Sequence, residues 1–257
     1  MVRAGVVRRA PALQLRLVVD YEGTQYVGWQ IQLNGPTIQA ELERALAVIL
    51  REPVRLRVAG RTDSGVHACG QVAAAPVSRP PDDLVRVLRG VNALLPDDIA
   101  VRELTLVDDA FDPRRQARSR RYEYRLWCAA ASSPFWRRWA WHLPMDLDLD
   151  AMQAAAAVLL GKHDVLGFQG ADADPVQSTV RRISESGFVV DGSALVYGIE
   201  ATAFLKHMVR NIVGTLVEIG RGDRAVSSMQ DVLDSRDRTR AGMTAPPHGL
   251  TLVAVRY

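Results

Sequence analysis

The stretch LQLRLVV, residues 13–19, sets the pattern from which the fold class is predicted. Apolar and polar residues alternate along it, which favours a strand with one buried face. Apolar residues then recur at helical spacing from Ile38, directly after Thr37, a residue type that often caps helix N-termini. Pro53 ends this helix, because proline cannot continue one. The chain therefore opens with a strand and a helix.

Strand and helix signals continue to alternate beyond this point. We predict strands at residues 54–58, 70–77, 99–106, 118–127, 183–190, 194–203 and 250–255, and helices at residues 82–94, 151–160, 204–219 and 227–233. The order β-α-β-β-α-β in the first half is that of a ferredoxin-like unit. We expect an α+β protein of two ferredoxin-like (RRM-like) lobes, residues 1–108 and 109–257, with antiparallel sheets that meet at a central cleft. No low-complexity linker divides the lobes, so we expect a shared interface or a continuous sheet.

The composition, 48% hydrophobic and 24% charged, is that of an ordinary globular protein. No apolar run is long enough to span a bilayer, and residues 1–9 lack the features of a secretory signal, so we expect a cytoplasmic protein without membrane contact. Cys69 and Cys128 lie in no metal-binding motif, and the acidic residues form no calcium loop. We therefore expect no metal.

The basic residues are unusual in kind. All but Lys162 and Lys206 of the 32 are arginines, although the net charge is only +3. A coding bias toward arginine explains this as well as a functional cluster does. The cluster in question comprises Arg114, Arg115, Arg118, Arg120 and Arg121. Because the planar guanidinium suits phosphates and bases, the cluster favours nucleic acid over a membrane as the partner.

The segment AGRTDSGVH, residues 59–67, is the first that could carry chemistry. It lies between two predicted strands, where functional loops concentrate, and its glycines allow the backbone to bend near Arg61 and Asp63. The alternative is an ordinary hairpin turn in which Asp63 and Ser64 bond their own backbone. Both interpretations stand on the residues alone.

The segment RRYEYR, residues 120–125, is a predicted strand with Tyr122 and Tyr124 on one face and charged residues on the other. An aromatic side chain on such a strand can stack on an unpaired base. The same pattern fits tyrosines packed in a core. The choice between stacking and packing stays open.

The segment FLKHMVRN, residues 204–211, opens the longest predicted helix, and its spacing puts Lys206 and Arg210 on one face. The pair is either an exposed stripe or part of a site. If the helix is buried, Arg210 needs an anion as partner, for which Asp63 or a phosphate would serve.

Taken together, these segments resemble one enzyme family. The similar stretches are DYEGTQYVGWQ (20–30), AGRTDSGVHACGQV (59–72), RRYEY (120–124), FLKHMVRNIVGTLVEIG (204–220) and GLTLVAV (249–255). In this order they resemble the motifs of TruA-type tRNA pseudouridine synthases. The resemblance implies an enzyme that isomerises uridine at positions 38 to 40 of the tRNA anticodon stem-loop, as a homodimer and without a cofactor.

The resemblance also implies roles for single residues. Asp63 falls on the catalytic aspartate, which an adjacent arginine would keep ionised, and Arg210 falls on its basic partner. Tyr122 falls on the aromatic residue that stacks on the turned-out uracil. Arg61 falls on an arginine that helps to displace the base, and Leu252 on an apolar residue of the base pocket.

Further expectations come from the residues themselves. Arg114, Arg118, Arg120, Arg121 and Lys206 are expected to contact the RNA backbone. The Trp-rich segment 129–143 is expected to be a partly ordered insertion. Two other functions compete with the synthase: an RNA-binding module without chemistry, and a carboxylate-dependent hydrolase. The first lacks the RNP-type signature, and the second lacks a second carboxylate linked to the Asp63 motif.

Overall fold

Ten strands and five α-helices make up the part of the chain that the computed structural model describes, residues 13–173 and 176–257. The strands are β1 (Leu13–Tyr21), β2 (Arg57–Val58), β3 (His67–Pro76), β4 (Ile99–Asp108), β5 (Ser119–Trp127), β6 (Trp141–His142), β7 (Gly161–Asp164), β8 (Val180–Asp191), β9 (Ala194–Ala201) and β10 (Leu250–Arg256). The helices are α1 (Ile38–Leu50), α2 (Leu84–Asn92), α3 (Leu149–Ala157), α4 (Met208–Gly220) and α5 (Ser228–Ser235). The predicted order β-α-β-β-α-β of the first half is confirmed.

The strands form one continuous sheet in the order β4-β1-β3-β10-β5-β9-β8-β7, with β2 beside β3 and β6 beside β5. Neighbouring strands are antiparallel except for the pairs β3–β10 and β5–β6, which are parallel. An α+β fold with a mostly antiparallel sheet is therefore confirmed, and the halves share a sheet. β10 follows the other described strands in the sequence, but it lies inside the sheet, between β3 and β5.

The first helix begins and ends where its sequence signals predict. The Thr37 hydroxyl oxygen accepts a hydrogen bond from the Ala40 N–H at 3.3 Å. The helix ends at Leu50, where Arg51 adopts a left-handed φ of 57° before Pro53. The strand predicted before the Asp63 loop, at residues 54–58, is shorter than expected and covers only Arg57–Val58.

The structure corrects the start of the fourth helix. A helix was expected from residue 204, but α4 begins at Met208. His207 directly precedes it with a φ of 59°, a left-handed value that a helix interior does not adopt. The predicted placement of Lys206 on one helical face with Arg210 is therefore wrong, because Lys206 lies before the helix.

Alternate residues of β1 enter different apolar clusters. Leu15, Leu17 and Val19 belong to the main core, together with the buried faces of the helices. Val18 points the other way and packs in a small second cluster. α4 is buried along almost its whole length, so a charged side chain on it needs partners inside the fold. None of the helices in the described residues is both long and apolar enough to cross a membrane.

Candidate active site

The loop that joins β2 to β3 carries Asp63. Gly65 has a positive φ of 77°, and the Val66 N–H donates to the Asp63 carbonyl at 3.2 Å, so the chain turns tightly just beyond the aspartate. One carboxylate oxygen, Asp63 Oδ2, lies 3.5 Å from Arg210 Nη1. The carboxylate thus faces α4, which is not what the ordinary hairpin turn predicts.

A buried polar network supports this loop from β1 and β3. The Tyr21 hydroxyl lies 2.8 Å from Thr62 Oγ1, and Gln71 Nε2 donates to the Gly60 carbonyl at 2.7 Å. Burial is the main cause that raises the pKa of Tyr21 to about 12, so its hydroxyl keeps its proton at neutral pH. The residues just before Asp63 are therefore held by side chains of two strands.

The segment after β1 holds the loop from another side. The Trp29 N–H donates to the Thr62 carbonyl at 3.1 Å, and the Ser64 hydroxyl donates to the Tyr26 carbonyl at 3.1 Å. Gly28 has a φ of 107°, and a Cβ on it would lie 2.8 Å from the Thr62 carbonyl oxygen. Glycine is required there because the two backbones come into direct contact.

Arg210, in the first turn of α4, is held by more than the aspartate. Its Nε donates to the Ala245 carbonyl at 2.7 Å, and the Ala245 N–H donates to the Arg210 carbonyl at 3.1 Å. The Arg210 side chain is 13% exposed. The expectation that a buried Arg210 needs an anion is therefore met by Asp63.

Tyr122 projects from β5 into the main core, on the same face as Tyr124, as predicted. Its ring packs edge-on against Phe204, with ring centroids 5.0 Å apart. Burial foremost, and then the charges of Tyr21 and Asp63, raise the pKa of Tyr122, so its hydroxyl stays protonated at neutral pH.

Leu252 lies between the two strands that matter most for this site. It is opposite Ala68 of β3 on one side and opposite Tyr122 of β5 on the other. Its side chain is fully buried. Leu252 therefore spaces the strand that leaves the Asp63 loop from the strand that carries Tyr122.

Arg61 is placed differently from the other arginine of the site. It is exposed, and among the described residues no hydrogen bond or ion pair holds its guanidinium. A long cationic side chain two residues from Asp63 is thus unconstrained by the fold.

Arg120 is the one expected RNA contact that the structure places inside the fold, and we correct that expectation. It is 7% exposed, and its guanidinium donates to four backbone carbonyls. The acceptors are Ala59 at 2.8 Å, Arg114 at 2.7 Å, Ala117 at 3.2 Å and Thr202 at 2.8 Å. Because these carbonyls occupy the guanidinium, Arg120 ties β5 to the start of the Asp63 loop and to the end of β9.

The other basic residues that were expected to contact the RNA backbone differ in their surroundings. Arg121 pairs with Glu185 of β8 at 2.9 Å, and Lys206 pairs with Asp172 at 2.7 Å. Arg114 and Arg118 have exposed side chains. These last two are the more available for an external anion.

The Trp-rich segment 129–143, expected to be only partly ordered, packs against the residue that follows the Asp63 loop. The ring centroids of Trp139 and His67 are 4.3 Å apart. His67 Nδ1 accepts from the Gly23 N–H at 2.9 Å, so Nε2 carries the hydrogen and donates to the Arg138 carbonyl at 2.8 Å. Neutral His67, the first residue of β3, therefore links that strand to the turn at Gly23 and to the Trp-rich segment.

Two other features bear on what the site can do. Within residues 13–173 and 176–257, no group of three or more histidine, cysteine, aspartate or glutamate side chains is arranged to hold a metal ion. A hollow of about 530 Å³ lies on the opposite face of β5, lined by residues such as Arg121, Glu123 and Arg125. It is therefore separate from Asp63 and Tyr122.

Comparison with known proteins identifies the family. A sequence profile described as tRNA pseudouridine synthase matches residues 17–114 and 155–257, more than half of the chain. The chain belongs to the tRNA pseudouridine synthase family. The matched residues include Asp63 and Arg210, whereas Tyr122 and the Trp-rich segment lie between the two matched parts.

Individual relatives agree with this membership. The chain is 47% identical to tRNA pseudouridine synthase A of Myxococcus xanthus, over 95% of this chain and 92% of that protein. It is 43% identical to the protein of the same name from Geotalea uraniireducens, over 95% of this chain and 99% of the relative. The expected resemblance and the expected enzyme class, an isomerase that acts on tRNA, are confirmed.

Sequence reasoning missed two side chains that the structure places beside Asp63 and Tyr122 in this tRNA pseudouridine synthase. His207 Nε2 lies 3.6 Å from Asp63 Oδ2, and Phe204 packs on Tyr122. Both stand in the stretch FLKHMVRN, but the helix was predicted to begin too early there. A turn at His207 changes where both side chains point, and the apolar spacing gave no sign of it.

Proposed function

We propose that this protein converts uridine to pseudouridine at positions 38 to 40 of the tRNA anticodon stem-loop, with Asp63 as the catalytic group. One observation carries the proposal: the Asp63 carboxylate, 27% exposed, lies 3.5 Å from the Arg210 guanidinium. The name of the relatives, tRNA pseudouridine synthase A, supports the substrate class.

The chemistry accounts for these residue types. The reaction breaks the bond between ribose C1′ and uracil N1, turns the base and joins C1′ to C5. C5 then loses a proton and N1 gains one, so the step needs no cofactor. A base inside a helix cannot turn, so the nucleotide has to leave the stack. A carboxylate at the place of Asp63 can add to the base, attack the sugar or remove a sugar proton.

The neighbours of Asp63 suit the handling of a turned-out uracil. The Tyr122 ring offers a plate on which the base can stay stacked while it turns. Leu252 and Phe204 provide apolar surface that keeps water away from the separated base and sugar. The Arg61 guanidinium, which no contact within the described chain constrains, would take the position that the base leaves.

The rest of the tRNA would be held through its phosphates. Arg114 and Arg118 are the exposed candidates, with Arg121 and Lys206 available only if their carboxylate partners release them. Each phosphate contact adds to the salt dependence of binding. We expect Arg118→Ala to lower the slope of affinity against salt, with little effect on kcat.

The experiment that tests the function is a pseudouridine assay on unmodified tRNA. Asp63→Asn keeps the size of the side chain and removes its charge, so we expect it to bind tRNA and form no product. Asp82→Asn is the control, because the Asp82 side chain is 93% exposed on the surface. Product from Asp63→Asn at the control rate would contradict the assignment. If the unchanged protein binds tRNA without forming product, the non-catalytic binding module is favoured.

We also propose that the division between residues 108 and 109 separates two ferredoxin-like lobes within the single sheet.

We further propose that two copies of the chain act together. Exposed apolar side chains on β8, Val189 and Val190, support a contact between copies. Light scattering of the protein and of Val190→Asp tests this, and a monomer for the unchanged protein would exclude it. A tRNA substrate also supports a cytoplasmic location.

A further inference from the structure

His207 adopts a backbone conformation that its residue type rarely takes. Its φ of 59° and ψ of 2° are left-handed, directly before Met208 starts α4. Such residues persist where the surroundings impose the conformation, and they cluster at functional sites. The His207 side chain makes no hydrogen bond to the start of the helix, so helix capping does not explain it.

The surrounding chain leaves a fitted space for the His207 ring. The Gly170 N–H donates to the Lys206 carbonyl at 2.9 Å and so fixes the two segments side by side. A Cβ added to Gly170 would lie 2.8 Å from His207 Nδ1, closer than real contacts of this kind. The ring can keep its position only because residue 170 has no side chain.

His207 and Arg210 meet the same oxygen of Asp63. His207 Nε2 lies 3.6 Å and Arg210 Nη1 3.5 Å from Asp63 Oδ2. Both distances are slightly longer than an ordinary hydrogen bond, as is common for catalytic groups before substrate binds. Within the described chain, no hydrogen bond is formed to the other oxygen, Oδ1. The contacts that His207 and Arg210 make with this carboxylate thus converge on Oδ2.

The charge state of the ring suits this contact. The charged groups that face His207 are those of Asp63, Arg210, Asp172 and Lys206. Burial is the largest effect and lowers the pKa of His207, against the opposing charge of Asp63. The ring is therefore mostly neutral at neutral pH and carries one N–H, which in the tautomer with hydrogen on Nε2 would lie toward Oδ2.

We propose that His207 is a positioning residue that, together with Arg210, holds Oδ2 of Asp63 and so turns Oδ1 toward the uridine. The inference rests on the proposed function, because it takes Asp63 as the reacting group. A carboxylate free to rotate would present its reacting oxygen only part of the time. Small losses of alignment at a reacting atom cost large factors in rate.

The test compares replacements that separate the effect of the backbone conformation at residue 207 from the effect of the imidazole ring. Glycine adopts the left-handed conformation without strain, so His207→Gly should fold at least as well as the unchanged protein. We expect its kcat for pseudouridine formation to fall about 10- to 100-fold, with KM for tRNA changed less. His207→Gln, which keeps an N–H donor near the place of Nε2, should regain part of kcat. Added imidazole should restore kcat of His207→Gly.

A second variant displaces the His207 ring while leaving residue 207 unchanged. Gly170→Ala should displace the imidazole and lower kcat, because the new Cβ overlaps Nδ1. In the His207→Gly background the same change should cost nothing more, since there is no ring left to displace. This variant keeps the inference testable even if a replacement at residue 207 fails to fold.

The outcomes separate the inference from the function on which it rests. An unchanged kcat in His207→Gly, with Asp63→Asn inactive, would overturn the role of His207 and leave Asp63 as the catalyst. That role would also be overturned if neither glutamine nor imidazole restored any activity. An active Asp63→Asn variant would instead overturn the proposed function itself.

Discussion

Asp63 owes its setting to residues that are far from it in the sequence. Its loop is fixed by Tyr21 and Gln71 through Thr62 and Gly60, and its carboxylate is met by Arg210. Loops held by side chains of rigid strands keep a reacting group in one orientation. The sequence identified Asp63 and its pairing with Arg210 as candidates, but the support from Tyr21 and Gln71 appears only in the fold.

The role of the Tyr122 ring can be separated from that of its hydroxyl. Among the described residues no hydrogen bond holds this hydroxyl, and it stays protonated because burial raises its pKa. We expect Tyr122→Phe to keep most of the activity. Tyr122→Leu should lower kcat, because stacking on a base contributes about 1–3 kcal/mol, or roughly 5- to 150-fold. Rates measured on one tRNA transcript compare the two, and a larger loss for phenylalanine than for leucine would contradict the stacking role.

His67 makes the stability of the fold depend on pH. Burial lowers its pKa in the folded protein, whereas the unfolded chain takes up a proton below about pH 6.5. The stability that the neutral, buried His67 side chain contributes is therefore fully present above about pH 6.5 and is lost as the pH falls below that value. We expect a lower urea midpoint at about pH 5.5 than at about pH 7.5.

The matching variant for this prediction is His67→Gln. It should be less stable overall, but it should lose less between the two pH values than the unchanged protein. Burial also lowers the pKa of His207 and His248, so part of the dependence should remain. Equal losses in the variant and the unchanged protein would show that His67 does not titrate in this range.

The elements themselves were predictable where local signals decide them. Alternation over residues 13–19 gave β1, and Thr37 and Pro53 bounded α1. The start of α4 was missed because Phe204 and Leu205 continue the apolar spacing of the helix, while the left-handed turn at His207 is imposed by contacts with distant residues. The parallel pairing of β3 with β10 has no local signal, because its partners, such as His67 and Thr251, lie far apart in the sequence.

Arg120 joins three elements, which makes a clear prediction for stability. Replacing it by leucine leaves four carbonyls without their donor, and we expect the free energy of unfolding to fall by about 3 kcal/mol. Arg118→Leu is the control, because that side chain is exposed, and it should change stability by about 0.5 kcal/mol or less. Urea unfolding measures both. Similar stability in the two variants would mean that Arg120 is not structural.

The whole molecule depends on β10 more than its seven residues suggest. This strand completes the sheet between β3 and β5, and its Leu250 and Leu252 are buried in the core. We expect a chain that stops at residue 249 to show no cooperative unfolding transition, because both inner edges of the sheet would be unpaired. A chain that stops at residue 255 should still unfold cooperatively. Circular dichroism during heating measures both, and a cooperative transition in the shorter chain would contradict the prediction.

The position of β10 has a consequence during translation. Every other strand of the sheet leaves the ribosome before it, so Asp63 and Tyr122 are both made long before the strand that separates them by the right distance. An unfinished polypeptide that lacks β10 would not fix the distance between these two residues. Because the proposed chemistry needs Asp63 and Tyr122 at a fixed distance, we expect a fragment released before β10 is made to be inactive toward tRNA.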